Sequence, residues 1–232
     1  MTNPSNTILV VTPHPDDAEG GAGGTIAKFA KEGKKVVLVV CTNGDKGTSD
    51  RTLRPEKLAA IREKEQLDAA EVLGLEEVVF LRFPDQNLED CREFRMALCR
   101  QIRKHRPDLV VTIDPGSNRY IRHRDHYNTG RVTLDAVFPY ARDYLSFPEL
   151  MEEGLEPFNV REVWLFRPQE PDVFVDITET FVTKVDALYC HASQMGSPRE
   201  EREAWLRERS AETGEHIGGG LAEGFKRIVI GR

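Results

Sequence analysis

Residues Ile8 to Gly24, Ile8-Leu9-Val10-Val11-Thr12-Pro13-His14-Pro15-Asp16-Asp17-Ala18-Glu19-Gly20-Gly21-Ala22-Gly23-Gly24, leave few folds open. The apolar, β-branched run Ile8–Val11 reads as a buried strand. It runs into Pro13 and Pro15, which rule out helix there and hold the chain extended. Four glycines in five residues follow, read here as a loop, and a helix is expected to open at Thr25. In an open α/β sheet, ligands bind in the crevice at the carboxyl ends of the strands. His14, Asp16 and Asp17 belong at that rim.

One imidazole and two carboxylates at a strand end make half of a metal site. A catalytic zinc site needs three protein ligands and an open position, so another part of the chain must supply the third. The plainer reading of His14-Pro15-Asp16-Asp17 is a turn whose aspartate caps a helix.

The remaining sequence keeps the α/β frame. Strands are expected at Val36–Cys41, Val78–Phe83, Leu109–Ile113, Val163–Phe166, Val173–Ile177 and Arg227–Ile230. Helices are expected at Thr25–Lys31, Pro55–Leu73, Glu89–His105, Tyr127 to about Tyr140, from a cap at Thr178 to about His191, and Arg199–Glu212. Strand and helix alternate through the first half, the signature of parallel βαβ units. The fold class is therefore α/β, a Rossmann-like and mostly parallel sheet with helices on both faces and the active site at the strand carboxyl ends. Residues 1–232 read as one domain, with a loop-rich insertion around 144–160 as a lid or pocket wall.

Composition narrows the partners. A net charge of −7 argues against a nucleic-acid surface, which should be basic, and against attraction to an anionic membrane. No apolar run approaches the roughly 20 residues needed to span a bilayer, and residues 1–6 show no signal-type segment. Cys41, Cys91, Cys99 and Cys190 are widely spaced, contain no CxxC pair and read as reduced thiols. A cytoplasmic enzyme is expected.

The missing ligand has a candidate after the fourth strand, in His123-Arg124-Asp125-His126. If this tetrad opens a helix, His123 and His126 lie three apart on one face and can point into one crevice. Surface histidines in an arginine-rich loop (Arg119, Arg122, Arg124) are the plainer reading. Two half-sites at one sheet edge weigh much more than either alone.

With both halves on the page, a resemblance emerges. Pro13-His14-Pro15-Asp16-Asp17-Ala18-Glu19 with its glycines, Thr42-Asn43-Gly44-Asp45-Lys46-Gly47-Thr48 and His123-x-Asp125-His126 resemble the LmbE-like, PIG-L-type N-deacetylase family. Lys184-x-x-Ala187-Leu188-x-x-His191-x-Ser193-Gln194 and Glu223-x-Phe225 resemble its C-terminal signature. Two departures stand out. Ala18 occupies the place of a usual glutamate, with Glu19 one later, and Arg124 replaces a usual proline.

The resemblance implies a metal-dependent hydrolase that removes an N-acetyl group from an amino-sugar conjugate or similar small substrate. It implies one Zn2+ per chain, held by His14, Asp17 and His126. Asp16 matches the general base and His123 the histidine that acts as acid or electrostatic stabiliser. Asp125 is expected to orient a histidine. Zinc is preferred to iron, cobalt or manganese on availability and ligand set. Members of the family often form homo-oligomers, which no feature of this sequence decides.

Substrate contacts are assigned to Asn43 on a rim loop, Arg62 in the long helix and His191 at a helix end. Turn chemistry, a salt bridge and a backbone-satisfied histidine are their respective plainer readings. Arg119, Arg122 and Arg124 suggest an anionic group on the substrate. Two readings compete with the hydrolase: a nucleotide-binding Rossmann module and a non-catalytic metal-binding protein. The first fits poorly, because the glycines do not follow G-x-G-x-x-G and two aspartates stand where a pyrophosphate would lie.

Overall fold

The computed structural model describes residues 6–117 and 123–231. Its centre is a seven-stranded sheet in the order β3-β2-β1-β4-β5-β7-β6. The strands are β1 (Thr7–Thr12), β2 (Lys35–Thr42), β3 (Glu77–Phe83), β4 (Leu109–Ile113), β5 (Glu162–Phe166), β6 (Val173–Asp176) and β7 (Ala222–Val229). The first five are parallel, and β7 runs antiparallel to both β5 and β6. β1 pairs on one side with β2, Ile8 opposite Val36, and on the other with β4, Ile8 opposite Leu109. The connections therefore leave β1 and β4 in opposite directions. The crevice at their carboxyl ends is the topological switch point where this architecture binds ligands.

Strand periodicity divides the core between two faces. Leu9, Val11, Val37 and Val39 pack against Phe94, Leu98 and Ile102 of α3 (Arg92–His105) and Val132 and Ala136 of α4 (Arg124–Val137). Their neighbours Ile8, Val10, Val36 and Leu38 face the other way. They meet Ala22 and Ile26 of α1 (Asp17–Lys31), Ala69 and Leu73 of α2 (Pro55–Leu73) and Ala187 of α6 (Phe181–Tyr189). The strand period of two thus sorts one sequence onto two helical layers. α2 begins with Pro55 and ends on Gly74 at φ 74°, the left-handed stop a glycine supplies readily. A smaller cluster joins α6 to α7 (Arg199–Gly214) through Phe181, Val185 and Leu206. None of the helices described is long and apolar enough to cross a membrane.

The main correction concerns the glycines. They lie inside α1, which starts at Asp17, eight residues before the expected Thr25. Glycine is a poor helix former, so close packing must favour it here. A Cβ at Gly21 would sit 2.4 Å from the Phe166 ring, and one at Gly24 would sit 2.8 Å from Ile177. Other bounds also move. α4 starts at Arg124 and ends at Val137, and β7 starts at Ala222, five residues before the expected Arg227.

The 144–160 segment also differs from expectation. It carries α5 (Pro148–Glu152) and packs Phe147, Leu150 and Phe158 onto the core. The buried Arg103 guanidinium donates to the carbonyls of Tyr140, Ala141, Asp143, Ser146 and Leu155, tying this stretch to α3. It braces α3 and the end of α4.

Candidate metal centre

The loop after β1 is held at its root. Thr42, ending β2, donates from both its backbone N–H and its hydroxyl to the Pro13 carbonyl, each at 2.9 Å. Asp16 then caps α1 with φ 95° and ψ −25°, left-handed backbone at a non-glycine residue. Such strain persists only where surrounding structure enforces it, and it clusters at functional sites. Arg62 does the enforcing. Its guanidinium donates to Pro15 O at 2.7 Å, Gly44 O at 3.3 Å and Asp16 Oδ2 at 3.4 Å.

His14 stands between two groups of carboxylates. Its Nδ1 is 3.0 Å from Asp17 Oδ2. On the far side of the ring, Nε2 lies 3.1 Å from Asp85 Oδ1 and 3.2 Å from Asp125 Oδ2. His126 Nε2 approaches the same Asp17 Oδ2 at 3.1 Å. His14 Nδ1, Asp17 Oδ2 and His126 Nε2 thus converge, two imidazole nitrogens and a carboxylate oxygen, with His126 opening onto a cavity of about 480 Å³. That donor set suits a divalent transition metal.

A second cluster, His14, Asp85, His123 and Asp125, is chemically different. Asp125 is fully buried and already accepts the Gln86 N–H at 2.6 Å and the Leu88 N–H at 3.2 Å. Asp85 accepts the Lys46 N–H at 3.3 Å. These carboxylates are therefore placed to receive an N–H from His14 Nε2. That fixes the tautomer and leaves Nδ1 with a lone pair for a cation.

His123 caps α4, its Nδ1 accepting the Asp125 N–H at 3.2 Å. This leaves the ring proton on Nε2. The His14, His123 and His126 rings lie 4.7–5.2 Å apart, centre to centre.

Charge in the site follows from these contacts. Burial disfavours ionised Asp17, but His126, His14 and Arg167 outweigh it and hold the carboxyl well below its ordinary range. Burial likewise opposes the His14 cation, yet Asp125, Asp17 and Asp85 raise its pKa well above normal, so that a metal at Nδ1 would take the place of the second ring proton. Asp85, pulled down by His14 and Arg62 against burial, sits at about 2. Asp16 moves the opposite way, to about 6, driven first by burial and then by the neighbouring Asp17 charge. Burial and the two nearby histidines keep His123 below its usual value. Four aspartates meet at this corner, and a bound dication would offset their mutual repulsion.

His14, Asp17, His123, Asp125 and His126 therefore come together, and Asp16 stands beside Asp17 at the start of α1 with its carboxylate 3.4 Å from Arg62. The proposed substrate contacts do not join them. Arg62 is buried under the Asp16 loop, and Asn43 spends its Oδ1 on the Asp45 N–H at 3.2 Å. His191 is fully buried beneath α1, 3.6 Å from the equally buried Glu19, whose other oxygen accepts from Gln66 at 2.6 Å. None of the three lines the cavity. Arg124 pairs with Glu89 at 3.0 Å, and Arg119 and Arg122 lie outside the described residues.

Two residues escaped the sequence reading. Asp85 follows β3, and its carboxylate is not among the candidates read from sequence. Arg167, at φ 55° just after β5, places Nη1 3.0 Å from Asp17 Oδ1 and borders the cavity. The strand-end position of both was the available signal. The nucleotide-binding alternative fails on the same geometry, because the glycines lie within a helix and Asp16 and Asp17 occupy its amino end.

Comparison with known proteins agrees with this centre. Residues 9–137 match the PIG-L family, described as GlcNAc-PI de-N-acetylase. Diacetylchitobiose deacetylase of Thermococcus kodakarensis is 34% identical over 229 residues, covering 97% of this chain and 84% of that protein. A probable N-acetyl-alpha-D-glucosaminyl L-malate deacetylase 2 of Bacillus cereus is 31% identical, covering 89% of this chain and 91% of its own. The structure of N,N'-diacetylchitobiose deacetylase from Pyrococcus horikoshii superposes with a TM-score of 0.91 at 34% identity, over 97% of this chain and 84% of that one. With the family match over residues 9–137 and relatives at 31–34% identity along nearly the whole length, this chain belongs to the PIG-L family of de-N-acetylases and is an amide hydrolase of that family.

Proposed function

We propose that this protein removes the acetyl group from an N-acetylhexosamine conjugate, using Zn2+ held by His14, Asp17 and His126. The observation that carries the reading is the pairing of this three-donor corner with Asp16, a strained and partly exposed carboxyl next to it in sequence. A zinc ion held there would supply Lewis acidity for the acetamide carbonyl and would lower the pKa of water toward about 7.

The protein's own groups handle the protons. Asp16 is the base that takes a proton from the attacking water, and Arg62 keeps its carboxylate aimed. His123 carries its proton on Nε2, beside the cavity, and donates toward the oxygen that gains charge as the tetrahedral centre forms. The carbon–nitrogen bond then breaks, the water oxygen stays on the acyl carbon, which departs as acetate, and the amine leaves with the proton Asp16 had taken. Asp125 and Asp85 orient His14 and do not touch substrate.

The four cysteines form no disulfide, in keeping with a reducing, cytoplasmic setting.

Metal content by mass spectrometry, on wild type and His126→Ala purified alike, tests the centre. One tightly held zinc ion per wild-type chain, lost in the variant, together with acetate release from N-acetylated amino sugars, is the expected result. A wild type that binds no divalent metal after zinc is supplied and the excess removed would overturn it.

A further inference from the structure

The large cavity does not stop at the metal centre. From His123, His126 and Arg167 it extends to Arg202 and Trp205 on α7. A smaller cavity of about 130 Å³ continues past the same Trp205 to Arg209. Gly20, Arg167, Trp205 and Leu206 border both, so the two are arms of one depression. α7 lies outside residues 9–137, the stretch that matches the family. It forms a wall that the chemistry of the amide bond does not dictate.

Arg202, Trp205, Leu206 and Arg209 recur at the spacing of one helix face. Leu206 is buried in the cluster with Phe181 and Val185 and anchors that face. Trp205 is left 41% exposed at the cavity. The Arg202 and Arg209 guanidinium carbons lie 5.2 and 5.3 Å from its ring centre. Among the described residues neither arginine has a carboxylate within ion-pair distance. Arg199 and Arg207 on the same helix both do. Two unpaired cations beside a pocket are notable on a chain of net charge −7. A stacked guanidinium keeps its N–H fork free, and that fork matches a carboxylate or phosphate.

We propose that the α7 wall is a subsite for the part of the substrate beyond the N-acetylated sugar. It selects conjugates whose aglycone carries an oxyanion, either a carboxylate or a phosphate ester. The inference rests on the deacetylase reading for where the acetamide sits.

Phenyl, para-carboxyphenyl and para-phosphophenyl N-acetylglucosaminides test it, with released amine as the readout. At least one anionic glycoside should exceed the phenyl glycoside about tenfold in kcat/KM, mainly through KM, as a charge-assisted hydrogen bond predicts. Which anion gains more identifies the source. In the Arg202→Gln/Arg209→Gln double variant the ratio should fall to about 1, in Arg202→Glu it should drop further, and in about 1 M salt it should shrink in wild type. Equal wild-type values, or a ratio that survives the double substitution, would overturn the subsite. If the metal-loaded wild type cleaves none of the three, the deacetylase reading fails instead. Calorimetric binding of the same glycosides then decides the subsite: an arginine-dependent preference for the anion supports it, and equal or absent binding overturns it.

Discussion

Arg167 Nη1 lies 3.0 Å from Asp17 Oδ1, while Oδ2 of the same carboxylate faces both His14 and His126. One oxygen of Asp17 is thus occupied by a fixed cation and the other is presented to the donor corner. Removing the guanidinium in Arg167→Met frees Asp17 to rotate and raises its proton affinity. Groups that orient metal ligands typically contribute 10- to 100-fold in affinity, so zinc should be lost to a competing chelator at about tenfold lower chelator concentration. Gly20→Ala provides an independent approach, because its Cβ would sit 2.6 Å from Arg167 Nη2. That atom ends a flexible side chain, so Arg167 should swing away with little loss of stability and the same loss of zinc affinity. Unchanged zinc affinity in both variants would remove Arg167 from the centre.

Asp16→Asn should separate chemistry from binding. Loss of a general base lowers turnover by about 10²- to 10⁴-fold, with zinc still bound. The same substitution should stabilise the metal-free protein at neutral pH. The folded-state pKa of Asp16, about 6, lies above its ordinary 3.8, so the folded state holds the extra proton between those values. Wild-type stability therefore falls as pH rises through that window and is fully reduced above it. Each pKa unit is about 1.4 kcal/mol. The part-exposed side chain and the loss of the Arg62 contact reduce the effect to about 1–2 kcal/mol. Thermal melts of chelated protein should show Asn ahead at pH 7–8 and level with wild type below pH 4.

Asp85 and Asp125 both face His14 Nε2, but substituting them should have different consequences. Asp125→Ala leaves the buried Leu88 N–H and the part-buried Gln86 N–H without their acceptor, as well as His14. At about 1–3 kcal/mol for each unsatisfied group, the variant should unfold at markedly lower denaturant even with zinc present. Asp85→Ala removes one His14 contact and one longer bond from Lys46. It should keep most of its stability and lose about tenfold in zinc affinity. If the two variants behave alike, His14 is not held in the way described.

The strand pattern and the paired motifs made most of the sheet and the donor corner readable, because each depends on short-range spacing. β1, β4 and the His123–His126 tetrad needed only periodicity and the rule that ligands gather at strand carboxyl ends. What escaped depends on contacts distant in sequence. Asp85 and Arg167 reach His14 and Asp17 across 71 and 150 positions, and a strand-end position is their one local mark. The glycines of α1 were misread for a related reason. Local propensity argues loop, whereas Phe166, Ile177 and Lys184, more than a hundred residues on, require a helix surface without side chains.

His191 illustrates the opposite case, a histidine assigned to substrate from sequence that the fold buries. Burial alone would lower its pKa, but Glu19, with Asp16 and Glu65, raises it. In return the His191 charge lowers the pKa of Asp16. His191→Ala should therefore move the acidic limb of kcat toward higher pH while leaving KM unchanged. It should also destabilise the fold by about 3 kcal/mol, the order expected when a buried pair loses one partner. A raised KM with an unshifted limb would return His191 to the substrate site.

Gly21 and Gly20 are adjacent, and alanine at each should act differently. The Gly20 Cβ meets the tip of a movable arginine, whereas the Gly21 Cβ meets Phe166 Cδ2 at 2.4 Å and Cε2 at 2.8 Å. Phe166 ends β5, is fully buried and is fixed by its strand partners, Ile113 on β4 and Phe225 on β7. The ring cannot give way without shifting the strand that carries Arg167 next in sequence. Overpacking of this kind costs about 1–3 kcal/mol, partly offset by the better helix propensity of alanine. Gly21→Ala should thus show a lower unfolding midpoint and, through displaced Arg167, weaker zinc binding. Gly20→Ala should show only the second effect. Denaturant titrations with and without zinc separate the two. A Gly21→Ala protein as stable as wild type would mean that α1 and β5 do not approach as closely as this packing requires.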